Sequence, residues 1–176
     1  KMNNILQVTT AHSRYDIRIF KKISLSLSKY FKTELLVVDS NPNERINKNL
    51  SIFSIRQTNS RPRRFFVLPI IIFIEIFKNH KNKIIHLHDP ELILMGFFLR
   101  FFNFKVIYDS HEDLPKQVLS KPYLHKIFKI PLSFSINFFE KIFLKKFNFL
   151  IAATDSINQS LINKNENVYT INNYPI

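Results

Sequence analysis

Three stretches of this sequence gather most of the side chains suited to polar chemistry. The first holds His12, Arg14, Asp16 and Arg18. The second reads Ile85-His86-Leu87-His88-Asp89-Pro90-Glu91-Leu92, and the third Val106-Ile107-Tyr108-Asp109-Ser110-His111-Glu112. Thr154 and Asp155 make a smaller fourth group. A neutral imidazole can hydrogen-bond a hydroxyl, and a protonated one can meet a phosphate. His111 is the leading single candidate for such a contact. Each residue also has a plainer role open to it. Asp89 and Asp155 suit helix N-caps. Glu112 suits either orienting His111 or capping the next helix. Arg18 suits a pair with Asp16 or Glu112, or a solvated helix face, and His111 a bond to a buried backbone group. Strand alternation is expected to turn His86 away from His88 and leave His86 in the core. His86, His88, Asp89, His111 and Glu112 include metal-ligand types, but no His-Glu-x-x-His spacing occurs, and no metal is expected.

These residues must be positioned by the elements around them. Apolar runs at 5–10, 34–39, 50–55, 83–88, 105–109, 149–154 and 168–172 read as strands. Segment 16–31 reads as a helix, with Phe20, Ile23, Leu27 and Tyr30 at helical spacing. Further helices are expected from Arg61-Pro62 to about Lys78, at 90–102 and at 155–163. A long, partly helical stretch runs to about Phe147, with breaks expected near Pro122 and Pro131. Asn41-Pro42-Asn43 marks a loop. Short continuous apolar strands alternating with helices imply βαβ units and a sheet covered on both faces. The expected fold class is α/β: a Rossmann-like, doubly wound, mainly parallel sheet. Ligands of such sheets bind at the carboxyl ends of the strands, and all four polar groups follow a strand.

The 176 residues, 45% of them hydrophobic, suffice for a sizeable core. There are 19 Phe and no Trp, beside many Ile, Lys and Asn. That pattern fits an AT-rich coding bias, so single Phe residues are not read as functional. Cysteine is absent, which excludes a disulfide framework and a thiolate metal site. The start of the chain reads as a strand rather than a signal peptide, and a cytoplasmic location is expected. The net charge of +13 is concentrated: segments 56–83 and 115–147 hold fourteen Lys and Arg against Glu75 and Glu140. The remainder, with twelve bases and eleven acids, is nearly neutral, so a directed basic face is expected.

Asp16-Ile17-Arg18-Ile19-Phe20 after the first strand, the His-x-His-Asp turn at 86–89 and the Asp-x-His-Glu turn at 109–112 resemble, in that order, one known pattern. It is that of the N-terminal domain of family-four glycosyltransferases of the GT-B fold. Asn172-Asn173-Tyr174-Pro175 resembles the segment that enters the interdomain linker, so the likeness spans nearly the whole chain. The resemblance implies that 1–176 is the acceptor-side domain of a retaining, hexosyltransferase-like enzyme. Such an enzyme moves a sugar from a nucleotide-sugar donor to a glycan or lipid-linked acceptor, as in building a bacterial-type surface polymer. It implies substrate-binding roles for His12, Arg14, Asp16, Arg18, His88, Asp89, His111, Glu112 and Thr154, with His111 nearest the reacting sugar or acceptor. The donor would be held by a C-terminal domain absent from this chain. No cofactor is therefore expected in this domain, no catalytic nucleophile is assigned, and the chain alone is expected to be inactive. The sequence departs from the family at the turn after the first strand. Many members carry glycines there, which let backbone amides approach phosphates. Here the turn is Thr9-Thr10-Ala11-His12-Ser13-Arg14, and the sole glycine is Gly96. Ligand contact is expected from the side chains of His12, Ser13 and Arg14 instead.

Segment 65–77 is strongly apolar and follows Arg61, Arg63 and Arg64. It is shorter than the roughly 20 residues that span a bilayer. Segment 127–149 interleaves Phe128, Phe134, Phe138, Phe139, Phe143 and Phe147 with lysines, among them Lys141, Lys145 and Lys146. That mix suits a helix lying on an anionic membrane surface, so peripheral contact with the inner membrane face is expected. The competing arrangement packs the apolar side on the sheet and leaves a solvated lysine face. Nucleic acid is not an expected partner, because no recognised motif accompanies the charge. Two rival readings stand beside the enzyme. One is a non-catalytic membrane- and acceptor-binding subunit that needs a separate donor-binding chain. The other is an unrelated small-molecule-binding Rossmann-like domain.

Overall fold

The computed structural model describes residues 4–58, 60, 62–80, 83–122 and 124–174. Arg61, one of the expected membrane-facing residues, lies outside them. The described strands are β1 (Asn4–Val8), β2 (Lys32–Val38), β3 (Glu44–Arg45), β4 (Leu50–Ile55), β5 (Lys83–Leu87), β6 (Lys105–Ser110), β7 (Phe149–Ala152) and β8 (Val168–Thr170). They form one sheet in the order β3-β4-β2-β1-β5-β6-β7-β8. Every pairing is parallel except that of the short edge strand β3 with β4. The expected doubly wound α/β fold is present. The chain winds outward from β1 through β2 to β4, returns to β5 beside β1, and winds the other way to β8. This reversal puts the topological switch point, where such sheets bind ligands, between β1 and β5.

Helix α1 runs as Ile17–Ser24 and Leu25–Leu27, and α2 as Arg63–Val67 and Leu68–Asn79. Helix α3 runs as Pro90–Leu92 and Ile93–Phe101, followed by α4 (Leu114–Ser120), α5 (Lys126–Leu144) and α6 (Asp155–Leu161). Asp16 starts α1 by accepting the amides of Arg18 and Ile19, each at 2.8 Å. The first part of α1 is wound as a π-helix: the Lys21 amide reaches back five residues to the Asp16 carbonyl at 3.1 Å.

The pairing register explains why the two sheet faces differ. Gln7 lies opposite His86, and His86 opposite Ile107. Alternation then puts Gln7, His86, His88 and Asp109 on one face, and Leu6, Val8, Ile85, Leu87, Val106 and Tyr108 on the other. The second set joins residues of α2, α3, α5 and α6 in the main apolar core. The first set shares its face with α1, whose Ile19 and Phe20 pack with Leu35, Val37, Leu50 and Ile52 in a smaller core. Strand alternation therefore unites His86 with His88, contrary to the expected opposition, because residues two apart share a face; their ring centroids are 4.4 Å apart. Gly96 permits the close approach of α3 to β5. A Cβ there would lie 2.6 Å from Leu87 Cδ1 and 2.6 Å from Phe147 Cζ.

The expected break near Pro122 falls between α4 and α5, but α5 runs unbroken through Pro131. Proline costs that helix one backbone hydrogen bond. Tertiary contacts hold the segment nonetheless: Ser133 Oγ donates to the Pro115 carbonyl at 2.8 Å, and Lys129 Nζ to the Leu119 carbonyl at 3.1 Å. Only Glu140 and Leu144 of α5 are buried. Apart from Leu144 and Phe143, which join the main core, most of its apolar residues thus depart from the arrangement in which they cover the sheet. Among the described residues no helix is long and apolar enough to cross a membrane.

Candidate functional site

The turns after β1, β5 and β6 bring three imidazoles together at the switch point. His12 and His111 have ring centroids 5.0 Å apart, and His88 and His111 5.7 Å. His111 Nε2 lies 3.5 Å from His88 Nδ1. His88 is buried, and its Nε2 meets Gln7 Oε1 at 3.1 Å. His111 and His12 keep 19% and 30% of their side chains exposed, so they form the accessible part of the cluster.

Beneath the imidazoles, Arg18 grips Asp109 with two bonds, Nη2 to Oδ1 at 2.7 Å and Nε to Oδ2 at 3.1 Å. His88 Nδ1 and His111 Nε2 each lie 3.6 Å from Asp109 Oδ2. Burial pushes the Asp109 carboxyl up, but bonds from His88 and Arg18 outweigh it and hold Asp109 well below the usual carboxylate range. Burial pushes His111 down to about 4, against the pull of Asp109. Burial and then His88 push His86 down to about 3. His111 is therefore neutral near pH 7. It suits a hydrogen bond to a hydroxyl better than a charge pair with a phosphate.

The turn after β1 is fastened to β5. Asp89 Oδ2 accepts from Thr9 Oγ1 and from the Thr10 amide, both at 2.7 Å, and Glu91 Oε1 accepts from Thr10 Oγ1 at 2.7 Å. Asp89 thus anchors this turn instead of capping α3. His12 lies between two carboxylates, 3.5 Å from Asp16 and 3.6 Å from Asp89.

The remaining expected site residues are held in internal contacts. Arg14 is buried and pairs with Asp39 at 2.7 and 3.1 Å, reaching also Glu44 at 3.3 Å. It braces the loop between β2 and β3. Arg18 is neither on a solvated face nor paired with Asp16 or Glu112; it is buried on Asp109. Glu112 neither orients His111 nor caps a helix. It accepts from Gln117 Nε2, while Asp113 caps α4. Thr154 caps α6 through the Ile157 amide at 3.3 Å, so Asp155 does not. Arg63, Lys141, Lys145 and Lys146 are exposed. Arg64 is half-buried, its Nε 2.9 Å from Glu91 Oε1 and its guanidinium 5.4 Å from the Phe65 ring centre.

Ligand atoms of His86, His88 and Asp109 lie within 4.8 Å of one another. Both Asp109 oxygens already accept from Arg18, so a metal would have to displace the guanidinium. Gln7 and the supporting part played by Asp109 escaped the sequence reading. The shared i, i+2 face of His86 and His88 was the signal that could have found both, since it marks one sheet face as polar.

No family model matches the sequence, and no curated protein does. In structure the chain is similar to sucrose-phosphate synthase from Thermosynechococcus elongatus, with TM-score 0.73 and 13% identity over 97% of this chain and 48% of that one. It is similar to the E. coli trehalose-6-phosphate protein bound with UDP-2-fluoro glucose, with TM-score 0.59 and 11% identity over 92% and 42% of the two chains. A trehalose-6-phosphate synthase studied for glycosyltransfer with retention gives TM-score 0.57 and 11% identity over 90% and 41%. These are GT-B glycosyltransferases, and the fold of this chain is that of one GT-B lobe. The chain spans a little under half the length of each of these three structures.

Proposed function

We propose that this chain is the acceptor-side, N-terminal lobe of a retaining glycosyltransferase of the family-four type. The observation that carries the reading is the convergence of His12, His88 and His111 at the ends of β1, β5 and β6, beside the switch point. His111, neutral and partly exposed, hydrogen-bonds a hydroxyl of the reacting sugar or acceptor. His12 lines the same rim. Arg18 and Asp109 hold His88, and His88 and Asp109 position His111. Asp89 and Glu91 keep the turn after β1 in place without glycines. The donor, a nucleotide sugar like the one bound by the E. coli neighbour, reaches the rim from a second lobe. Retention is carried over from the trehalose-6-phosphate synthase neighbour. No nucleophile is assigned.

The exposed apolar and lysine-bearing surface of α5 supports peripheral contact with an anionic membrane and therefore a lipid-linked acceptor. The test is nucleotide release by the complete two-lobed enzyme from a panel of nucleotide sugars that includes UDP-glucose, with and without lipid-linked acceptors. Acceptor-dependent release supports the reading; no release from any donor contradicts it.

A further inference from the structure

The described arginines divide into two groups. Arg14, Arg18 and Arg64 are matched by Asp39, Asp109 and Glu91. Arg45 and Arg100 donate to backbone carbonyls. Arg56 and Arg63 have no ion-pair or hydrogen-bond partner among the described residues. Both line one pocket of about 380 Å³, between the loop after β4 and the start of α2. That volume falls in the range of small-molecule sites, roughly 300–1,000 Å³. Gln57 and Thr58 add polar groups to the lining, Leu68 and Ile71 an apolar wall, and no described acid lines it. The loop is held in place, because the Gln57 amide donates to Ser40 Oγ at 2.7 Å.

Arg63 stands at the unfavourable end of its helix. A helix N-terminus carries partial positive charge and is stabilised by acids, not bases. The first turn of α2 holds no acid. Arg64 is relieved by Glu91 at 2.9 Å, but among the described residues no carboxylate does the same for Arg63. Such breaks of a local rule gather at functional sites. The pocket also lies on the ligand-binding edge of the sheet. β4 runs parallel to β2, and β2 to β1, so the loop after β4 leaves from the same edge as the turn that carries His12. Two strand spacings, about 10 Å, separate β4 from β1.

We infer that this pocket is an anion site, in which the Arg56 and Arg63 guanidiniums hold the phosphate of a small, soluble phosphate monoester. Each guanidinium offers paired N–H donors that match phosphate oxygens. The start of α2 adds its positive end. The side chains of Gln57 and Thr58 can bond hydroxyls on the rest of the molecule, and Leu68 and Ile71 give its carbon skeleton a surface. A lipid headgroup would bring the same phosphate, and the test separates the two. The inference goes beyond the sugar-transfer reading of the rim and does not rest on it, since it assigns a bound group and not a reaction.

The test is titration of the isotope-labelled 176-residue chain with glycerol phosphate, read by the NMR shifts of backbone amide and arginine Nε–H signals. Signals of Arg56, Gln57 and Arg63 are expected to move with glycerol phosphate and to stay fixed with glycerol, and inorganic phosphate is expected to compete. Arg56→Gln and Arg63→Gln each remove charge-assisted hydrogen bonds and are expected to weaken binding by roughly tenfold or more. Lys78→Gln removes the same charge from the last turn of α2, outside the pocket and beyond the screening length of about 10 Å, and is expected to change binding by less than about twofold. All three positions are exposed, and circular dichroism checks that each variant is folded. No shift with glycerol phosphate overturns the inference. So do shifts spread over the lysines of α5, or equal affinity in both folded arginine variants. Vesicles containing phosphatidic acid form the second arm. Vesicle binding lost in the arginine variants, with no response to glycerol phosphate, overturns the soluble ligand and assigns the two arginines to a lipid surface. Neither donor nor turnover enters the readout, so failure of this site leaves the role of His111 to its own test.

Discussion

Arg18 and Asp109, 91 residues apart in sequence, form a two-point ion pair under the imidazole cluster, with 4% and 0% of each residue exposed. Arg18 Nη1 also donates to the Ile171 carbonyl at 3.0 Å, so one side chain links α1, β6 and the segment after β8. Removing either partner leaves a buried charge unmatched. Arg18→Met or Asp109→Leu alone should cost roughly 3–5 kcal/mol, while the double variant should recover much of the loss, since an apolar pair can replace a buried ion pair. Urea unfolding of the three variants measures this. Single variants within 1 kcal/mol of the parent chain would show that the pair is not needed.

Protonation should destabilise the domain through His86 and His111. Both have folded-state values below the ordinary 6.5, at about 3 and about 4. The unfolded chain therefore takes up protons below pH 6.5 that the folded chain refuses. Their contribution is complete above that pH and is lost as pH falls toward 4 and then 3. Asp109 is lowered as well, so its contribution stays in force down to about pH 4 and is lost progressively below the ordinary carboxylate value. Urea midpoints recorded between pH 7 and 4 should fall, and His86→Leu should flatten that slope. An unchanged slope in a folded His86→Leu variant would place the proton uptake elsewhere.

Gly96→Ala should destabilise despite the better helix propensity of alanine. The new methyl would meet Leu87 and Phe147 at 2.6 Å, and both are buried with little room to move. Overpacking costs about 1–3 kcal/mol against a propensity gain of about 1 kcal/mol. A net loss of about 1 kcal/mol in urea unfolding is expected, and a stabilised variant would mean that α3 can lift off β5.

Much of the fold was legible in the sequence because its signals are local. Continuous apolar runs marked β1, β2, β4, β5, β6, β7 and β8 within a few residues, and Asp16 marked the start of α1. The two-residue strand β3 has no such run and exists by pairing with β4. Pro131 is a local break signal overridden by contacts between α4 and α5. The site was legible as a set of turns and not as a set of roles. His12, His88 and His111 were found because each follows a strand. The engagement of Arg14 with Asp39, and of Arg18 with Asp109, is fixed by partners distant in sequence that no spacing rule reveals.

Replacing Lys141, Lys145 and Lys146 with Gln should weaken binding to vesicles containing anionic phospholipid. At about 1 kcal/mol per cation near such a surface, the loss can reach about 100-fold. Vesicle co-sedimentation measures it, and equal binding by both proteins would remove this end of α5 from any membrane contact.

The central claim is that the accessible imidazole of His111 touches the reacting sugar or acceptor. It is tested most directly by the turnover of His111→Ala in the complete two-lobed enzyme, with thermal unfolding measured alongside. Loss of one hydrogen bond of about 1 kcal/mol at the reacting centre should slow transfer by roughly fivefold with the unfolding temperature retained. Parental turnover in a natively stable variant would contradict the account.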